Sequence, residues 1–254
     1  MKRFLLTSLL LVCSAVTTSA QTNALTRAEK NAGWRLLFDG QSFAGWRGLG
    51  YDSVPSLHWR IKDGTIMKIA SGNVPKIADG QPASGGDLMS VNTFQNFELA
   101  WEFKLTAKAN TGVKYNVSEE FSLKNAGNHA ALGWEFQLQD DVNGDDIAIP
   151  SHLTGSLYEM IAANAQSITK PVGEWNSARL LFNGNKGEHW LNGRKAVEFD
   201  ITTPEFAALF ARSKYKNIVG FAERKKGHVI LQDHNDEVYF RSIKIRELHS
   251  SSTH

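Results

Sequence analysis

The chain has 254 residues, 42% of them hydrophobic and 21% charged, enough to bury a full core without a staple. Its 28 basic residues against 26 acidic ones leave a formal charge of +2, too weak a field to favour nucleic acid or an anionic membrane surface. One cysteine, Cys13, excludes a disulfide framework within the chain.

Residues 1–20, MKRFLLTSLLLVCSAVTTSA, combine a basic start (Lys2, Arg3), an apolar run from Phe4 to Val12, and small residues at Thr18 and Ala20. This is the pattern of a secretory signal peptide cut after Ala20. The run is too short for membrane insertion, which takes about 20 apolar residues. Lipidation at Cys13 is the lesser alternative, because Val12 stands where such a signal wants a small residue. Loss of the leader removes Lys2, Arg3 and Cys13, leaving 26 basic against 26 acidic residues and no thiol. A core that holds without bridges suits a bacterial periplasm or secreted setting.

Residues 21–33 form a polar lead-in with a helical turn around Leu25 to Lys30. A single domain is expected over 34–248. It opens with Leu36, Phe38 and Trp46 around an Asp39-Gly40 turn, then a hairpin over 58–69 about Asp63-Gly64. Residues 71–86, rich in Gly, Ser, Pro and Asp, read as a long loop. In NFELAWEFKL, Phe97, Leu99, Trp101, Phe103 and Leu105 share one face; in TGVKYNV, Val113, Tyr115 and Val117 do. Loops are expected at 118–132 and 141–155, separated by the strand GWEFQLQD. A meander follows over 178–199 with turns at Asn183-Gly184 and Asn192-Gly193, and then the one expected helix, 204–215, with Phe206, Leu209 and Phe210 at i, i+3, i+4. Two strands around Asn235-Asp236 end the chain. The fold class is all-β, an antiparallel two-sheet sandwich with one short helix. No phosphate-binding glycine motif and no G-x-S-x-G occurs.

The strand GWEFQLQD raises a chemical question. Trp134, Phe136 and Leu138 take one parity, and Glu135, Gln137 and Gln139 the other. A solvated face does not need three long acid and amide side chains. By the same parity rule Gln232 and His234 lie opposite Leu231, Lys114 and Asn116 lie opposite Val113, and Arg241 falls on a mostly apolar parity with Tyr239, Ile243 and Ile245. If these strands neighbour one another, one sheet face becomes a polar floor for a polyhydroxylated ligand, with Trp134 or Trp190 stacking on sugar faces. The alternative is an ordinary wet sheet exterior. The run Asp140, Asp141, Asn143, Asp145, Asp146 lacks the twelfth-position Glu of an EF-hand and reads as an acidic turn, and no zinc spacing is present among the histidines.

The stretches LLFDGQSFAGW (36–46), HWRIKDGTI (58–66), GGDLMSVNTFQNFELAWEFKL (85–105), GWEFQLQDD (133–141), TGSLYEM (154–160) and GHVILQDHNDEVYFRSIKIREL (227–248) resemble the 3-keto-disaccharide hydrolase-type domain family. The resemblance implies a concanavalin A-like jelly roll with a sugar groove on its concave face. It also implies cleavage of glycosides oxidised at C3, by C2 deprotonation and β-elimination, with water re-addition giving net hydrolysis. In that chemistry His234, or failing that Glu135, is the expected base. Lys114, or a divalent cation held by Glu135 and His234, is the expected electrophile at the ketone. Gln137, Gln232, Asn116 and Arg241 are expected to orient hydroxyls, while Asp140, Tyr158 and Glu159 close the rim. The expected partner is a sugar or glycoside, with no nucleic acid and no membrane insertion; no residue pattern sets an oligomeric state. Competing readings are a non-catalytic carbohydrate-binding module, which needs no acid or base, and a conventional glycoside hydrolase, which needs a second carboxylate such as Asp140 or Glu159.

Overall fold

The computed structural model describes residues 22–70, 72, 85–127, 130–223 and 225–248. The leader 1–20 and most of the loop expected over 71–86 lie outside the described residues. The strands are β1 (Arg35–Leu36), β2 (Trp46–Gly48), β3 (Trp59–Lys62), β4 (Thr65–Lys68), β5 (Leu88–Ser90), β6 (Phe97–Leu105) and β7 (Asn110–Val117). They continue with β8 (Trp134–Gln139), β9 (Asn176–Asn183), β10 (Lys186–Leu191), β11 (Arg194–Asp200), β12 (His228–Leu231) and β13 (Val238–Glu247). All pairings are antiparallel. The larger sheet runs β11-β10-β9-β6-β13-β4-β3, with β1 on β13; the smaller runs β2-β5-β12-β7-β8.

Alternation explains why the sheets meet where they do. Phe97, Leu99, Trp101, Phe103 and Leu105 of β6 and Leu180 and Phe182 of β9 bury inward from the larger sheet. From the smaller sheet come Val113 and Tyr115 of β7, Trp134, Phe136 and Leu138 of β8, and Leu231 of β12. The result is an all-β sandwich around one continuous apolar layer. The hairpin turns fall as expected: Asp63 and Gly64 (φ 50° and 70°) join β3 to β4, and Asn192 and Gly193 (φ 48° and 80°) join β10 to β11.

Two features depart from the sequence expectation. Three short α-helices occur among the described residues, where one helix and a helical turn around Leu25 to Lys30 were expected: α1 (Arg27–Asn31), α2 (Glu119–Ala126) and α3 (Pro204–Phe210). Helix α2 lies where a loop was expected. Its stop and start signals are local: Ser118 accepts the Phe121 N–H at 3.2 Å, and Glu119 and Glu120 occupy the first turn. Because it buries only Phe121 and Ser122, it shows no apolar period. Parity also breaks three times: in β11, where Ala196 is the extra residue between the partners of His189 and Trp190, and at two bulges built on a left-handed residue. In β7, Tyr115 and Asn116 together oppose Val229, since His228 pairs Val117 and Ile230 pairs Lys114. In β13, Ser242 and Ile243 oppose Trp101. Asn116 (φ 56°) and Ser242 (φ 53°) are the left-handed residues of these bulges. Beyond each, the alternation reverses. Val117 therefore leaves the main core and joins Leu49, Met89, Ala131 and Ile230 in a second apolar cluster, on the side of the smaller sheet that carries Lys114.

A buried polar tie crosses the sandwich. The Tyr115 hydroxyl lies 2.9 Å from His189 Nε2, and His189 Nδ1 lies 3.1 Å from the Gly155 carbonyl. The imidazole stacks on Phe136 with centroids 4.5 Å apart. Burial pulls its pKa down to about 4, against the backbone contacts at Gly155 and Ser156; neutral His189 then donates from Nδ1 and accepts the tyrosine O–H at Nε2. A histidine whose folded pKa is depressed contributes stability above its unfolded value, near 6.5, and loses it as pH falls through about 4. Acidification across that window should therefore cost about 3 kcal/mol through this one group. Thermal melts from pH 7 to 4 should show a shallower fall in Tm for His189→Gln than for the parent; an equal slope would remove His189 as the cause.

Candidate active site

Strand β7 forms the middle of the site, flanked by β8 on one side and β12 on the other. Register sets the residues opposite one another: Lys114 faces Glu135, and Gly112 faces Gln137. Gly112 has a steric purpose. A Cβ there would lie 2.0 Å from Glu135 Oε1, so the absent side chain is what lets the carboxylate lie across the strand. From β12 the chain runs on into Gln232 and His234; Gln232 N donates to the Gly112 carbonyl at 2.9 Å. These strands surround a small polar hollow lined by Asn110, Glu135, Gln137, Tyr158, Lys214, Gln232 and His234.

Five of the sequence-predicted residues thus meet there: Glu135, Gln137, Gln232, His234 and Tyr158. Gln137 Nε2 donates to Asn110 Oδ1 at 3.0 Å, which leaves Oε1 of the one and Nδ2 of the other with opposite hydrogen-bonding sense. Lys214 lies over the Tyr158 ring at 4.6 Å, its Nζ 3.5 Å from the hydroxyl. Sequence reasoning missed Asn110 and Lys214. Asn110 was accessible to it, since Asn110, Gly112 and Lys114 alternate along one strand. Lys214 was not: it follows α3, some eighty residues beyond Glu135, and only tertiary packing brings it to the mouth.

Glu135 is the chemically unusual group. It is 4% exposed. Burial pushes its carboxyl above its ordinary value, opposed by the charges of Lys114, Lys214 and His234 and reinforced by Asp87. Lys114 is buried behind it, with Nζ 3.9 Å from Glu135 Oε2 and donating to the Ala131 carbonyl at 3.1 Å. Lys114 is not among the residues that line the hollow, so its expected contact with a ketone oxygen is corrected to contact with the carboxylate. Beneath the β12 end, Asp233 points away from the hollow. It bonds His58 Nδ1 and forms a 2.8 Å ion pair with Lys68, both acid and lysine side chains being fully buried. Burial pushes the Asp233 carboxyl up, but His58, Lys68 and the Asn235 N–H outweigh it and leave the group below its ordinary value.

Other expected site residues lie elsewhere. Arg241 is on the larger sheet, bonded to Glu102 at 2.8 Å and stacked 3.9 Å over Trp175; the bulge at Ser242 put it outward, on the face opposite its apolar neighbours. Asn116 is that other bulge residue, 1% exposed and absent from the hollow. Trp134 is 2% exposed and packs edge-on against Phe206 and Phe221, so it is core, not a stacking platform. Trp190 lies on the larger sheet under the Arg179 guanidinium at 4.3 Å. Asp140 organises its own turn, accepting from the N–H groups of Lys108, Val142 and Asn143. Glu159 is a rim support: at φ 69° it bonds His152 Nε2 at 3.1 Å and the Lys214 N–H at 3.2 Å. Glu135 and His234, the residues expected to hold a cation, both line the hollow. No group of three or more His, Cys, Asp or Glu gathers in metal-binding geometry among the described residues, and the Lys114 ammonium already answers the Glu135 charge.

Comparison with known proteins agrees with this architecture. The sequence profile of the 3-keto-alpha-glucoside-1,2-lyase-like domain matches residues 33–246. The 3-keto-disaccharide hydrolase of Bacteroides thetaiotaomicron is 32% identical over 249 residues, spanning 91% of this chain and 83% of that protein. Two crystal structures of candidate glycosyl hydrolases from Parabacteroides distasonis superpose on it. One has a TM-score of 0.77 at 29% identity, covering 90% of this chain and all of that one. The other has 0.63 at 25%, covering 85% and 99%. A profile match across most of the chain, joined to a relative similar over nearly all of it, places the protein in the 3-keto-alpha-glucoside-1,2-lyase-like domain family.

Proposed function

We propose that this protein is a glycoside-cleaving enzyme acting on 3-keto-glycosides by proton abstraction and β-elimination. The observation that carries this reading is the composition of the hollow. It holds one carboxylate, Glu135, buried and raised in pKa, among amides, one imidazole and one ammonium. A conventional glycosidase needs two carboxyl groups across the scissile bond, and no second one lines this hollow among the described residues. A simple binding module gains nothing from a desolvated acid beside two lysines. The names of the family and of the Bacteroides relative point to the same substrate class.

The chemistry follows from a C3 ketone, which acidifies the C2 proton. Glu135 takes that proton, and the electron pair of the C2–H bond moves into an enediolate whose charge collects on the C3 oxygen. Lys214, at the mouth, stabilises that oxygen. Collapse forms the C1–C2 double bond and expels the C1 substituent, whose oxygen takes a proton from His234. Water adding at C1, with a proton returned to C2, completes net hydrolysis. Glu135 is assigned as base and His234 as donor because Glu135 is the more deeply desolvated and His234 stands half-buried at the edge. Gln137, Asn110 and Gln232 hold hydroxyls.

A 3-keto-glucoside with a chromophoric leaving group tests the assignment. Glu135→Gln should lower kcat by about 10²–10⁴-fold and abolish exchange of the C2 proton with solvent deuterium. His234→Ala should slow release of a sugar or alkyl alcohol far more than release of a nitrophenolate, which leaves without a proton. Equal slowing of both would reverse the two roles. A chelator should leave the rate unchanged.

Gly112→Ala should be a clean test of geometry. The new methyl displaces the end of a flexible side chain, so activity should fall at least about tenfold while Tm moves by no more than a few degrees; a fully active variant would dissociate the position of Glu135 from catalysis. We further propose that residues 1–20 export the protein. Amino-terminal sequencing of protein from a periplasmic fraction should begin at Gln21, and recovery with Met1 intact in the cytoplasm would refute export.

A further inference from the structure

We propose that Asp87, outside the hollow, is the positioning residue that ties its two walls together and holds Lys114 against Glu135. Asp87 precedes β5, 1% exposed. Its Oδ1 accepts the Asp233 N–H at 2.8 Å, between Gln232 and His234 in sequence. Its Oδ2 accepts the Ala131 N–H, also at 2.8 Å. Ala131 in turn receives the Lys114 ammonium on its carbonyl, 3.9 Å from Glu135. One carboxylate thus fixes the strand end carrying Gln232 and His234 and the loop that orients Lys114. Two N–H donors on two oxygens suit an ionised acid, and a positioned acid with no substrate contact acts through the groups it holds.

The inference rests on the reaction reading above, in which Glu135 is the base. Around Glu135 stand Lys114 from its partner strand, Lys214 and His234 at the mouth, and Asp87 behind; the first three draw its carboxyl down and Asp87 lifts it. Burial, with the nearby Asp233 charge, holds Asp87 above its ordinary value against the pull of Lys114 and its two N–H donors. Two acids therefore share one buried ammonium. Losing the Asp87 carboxylate frees the loop that carries the Ala131 carbonyl, so Lys114 draws back from Glu135; the loss of that larger charge effect outweighs the loss of the Asp87 charge and lifts the Glu135 carboxyl further.

The test is a carbon-13 titration of the Glu135 carboxyl in the free protein, assigned by the signal lost in Glu135→Gln, paired with the pH dependence of kcat/KM on a 3-keto-glucoside. Asp87→Asn should raise the Glu135 midpoint by about one unit and carry the acid limb of kcat/KM up with it, with kcat reduced more than KM is raised. Lys114→Met should move the midpoint the same way and further. Ser122→Ala frees the Leu132 N–H in the same loop, bonded to Ser122 Oγ at 3.0 Å, and should lower Tm with the midpoint in place. An unmoved midpoint in Asp87→Asn or, should that variant fail to fold, in Asp87→Glu, whose longer side chain cannot keep both 2.8 Å contacts in place, overturns the proposal. The titration needs no turnover: shifted midpoints in a protein that cleaves no 3-keto-glucoside would uphold the placement of Asp87 and refute the reaction instead.

Discussion

A carboxylate taken out of water costs several kcal/mol unless charge and hydrogen bonding answer it. On the smaller sheet that cost is met by geometry. Glu135 lies across a glycine, its charge is faced by one buried ammonium, and the ammonium is held by a backbone carbonyl. Remove the glycine and the carboxylate has no place to lie; remove the lysine and it loses its charge partner. The surrounding arrangement keeps that one group dry and faced by charge.

The fold supplies this by placing three strands in the order β12-β7-β8. Each contributes its outward parity to one face, while inward residues such as Tyr115, Phe136 and Leu231 lock the sheet to its partner. Rigid strands hold a side chain more precisely than loops do. The mouth is built differently. Lys214 and Tyr158 come from irregular segments, and their placement depends on Glu159, a non-glycine residue held in a left-handed conformation by bonds to His152 and to the Lys214 backbone.

A second buried ionic group supports the β12 end. Lys68 and Asp233 are paired with both side chains fully buried, and His58 shares the acid. Gly86 packs so closely on this group that a Cβ there would fall 1.9 Å from Asp233 Oδ2. Buried ion pairs of this type rarely add net stability, but breaking one partner leaves an uncompensated charge. The consequence here is fixed register: Asp233 faces inward, so Gln232 and His234 turn toward the hollow.

Strand parity was legible in the sequence because burial on one face of a sheet has a period of two residues. It placed Glu135, Gln137, Gln232 and His234 on a common side and gave the hairpin turns at Asp63-Gly64 and Asn192-Gly193. It failed where a single left-handed residue adds one to the count. Asn116 and Ser242 each reverse the alternation, and neither looks unlike an ordinary strand residue in the sequence; Arg241 was misplaced because of the second bulge and because β13 belongs to the other sheet. Local sequence also does not encode distance. That Lys214 closes the mouth, that Lys114 serves the carboxylate instead of the ligand, and that Asp87 spans two walls are outcomes of packing between segments far apart in the chain. Periodicity is a local property of the backbone and survives in the sequence; contacts across the sandwich exist only once both sheets have formed.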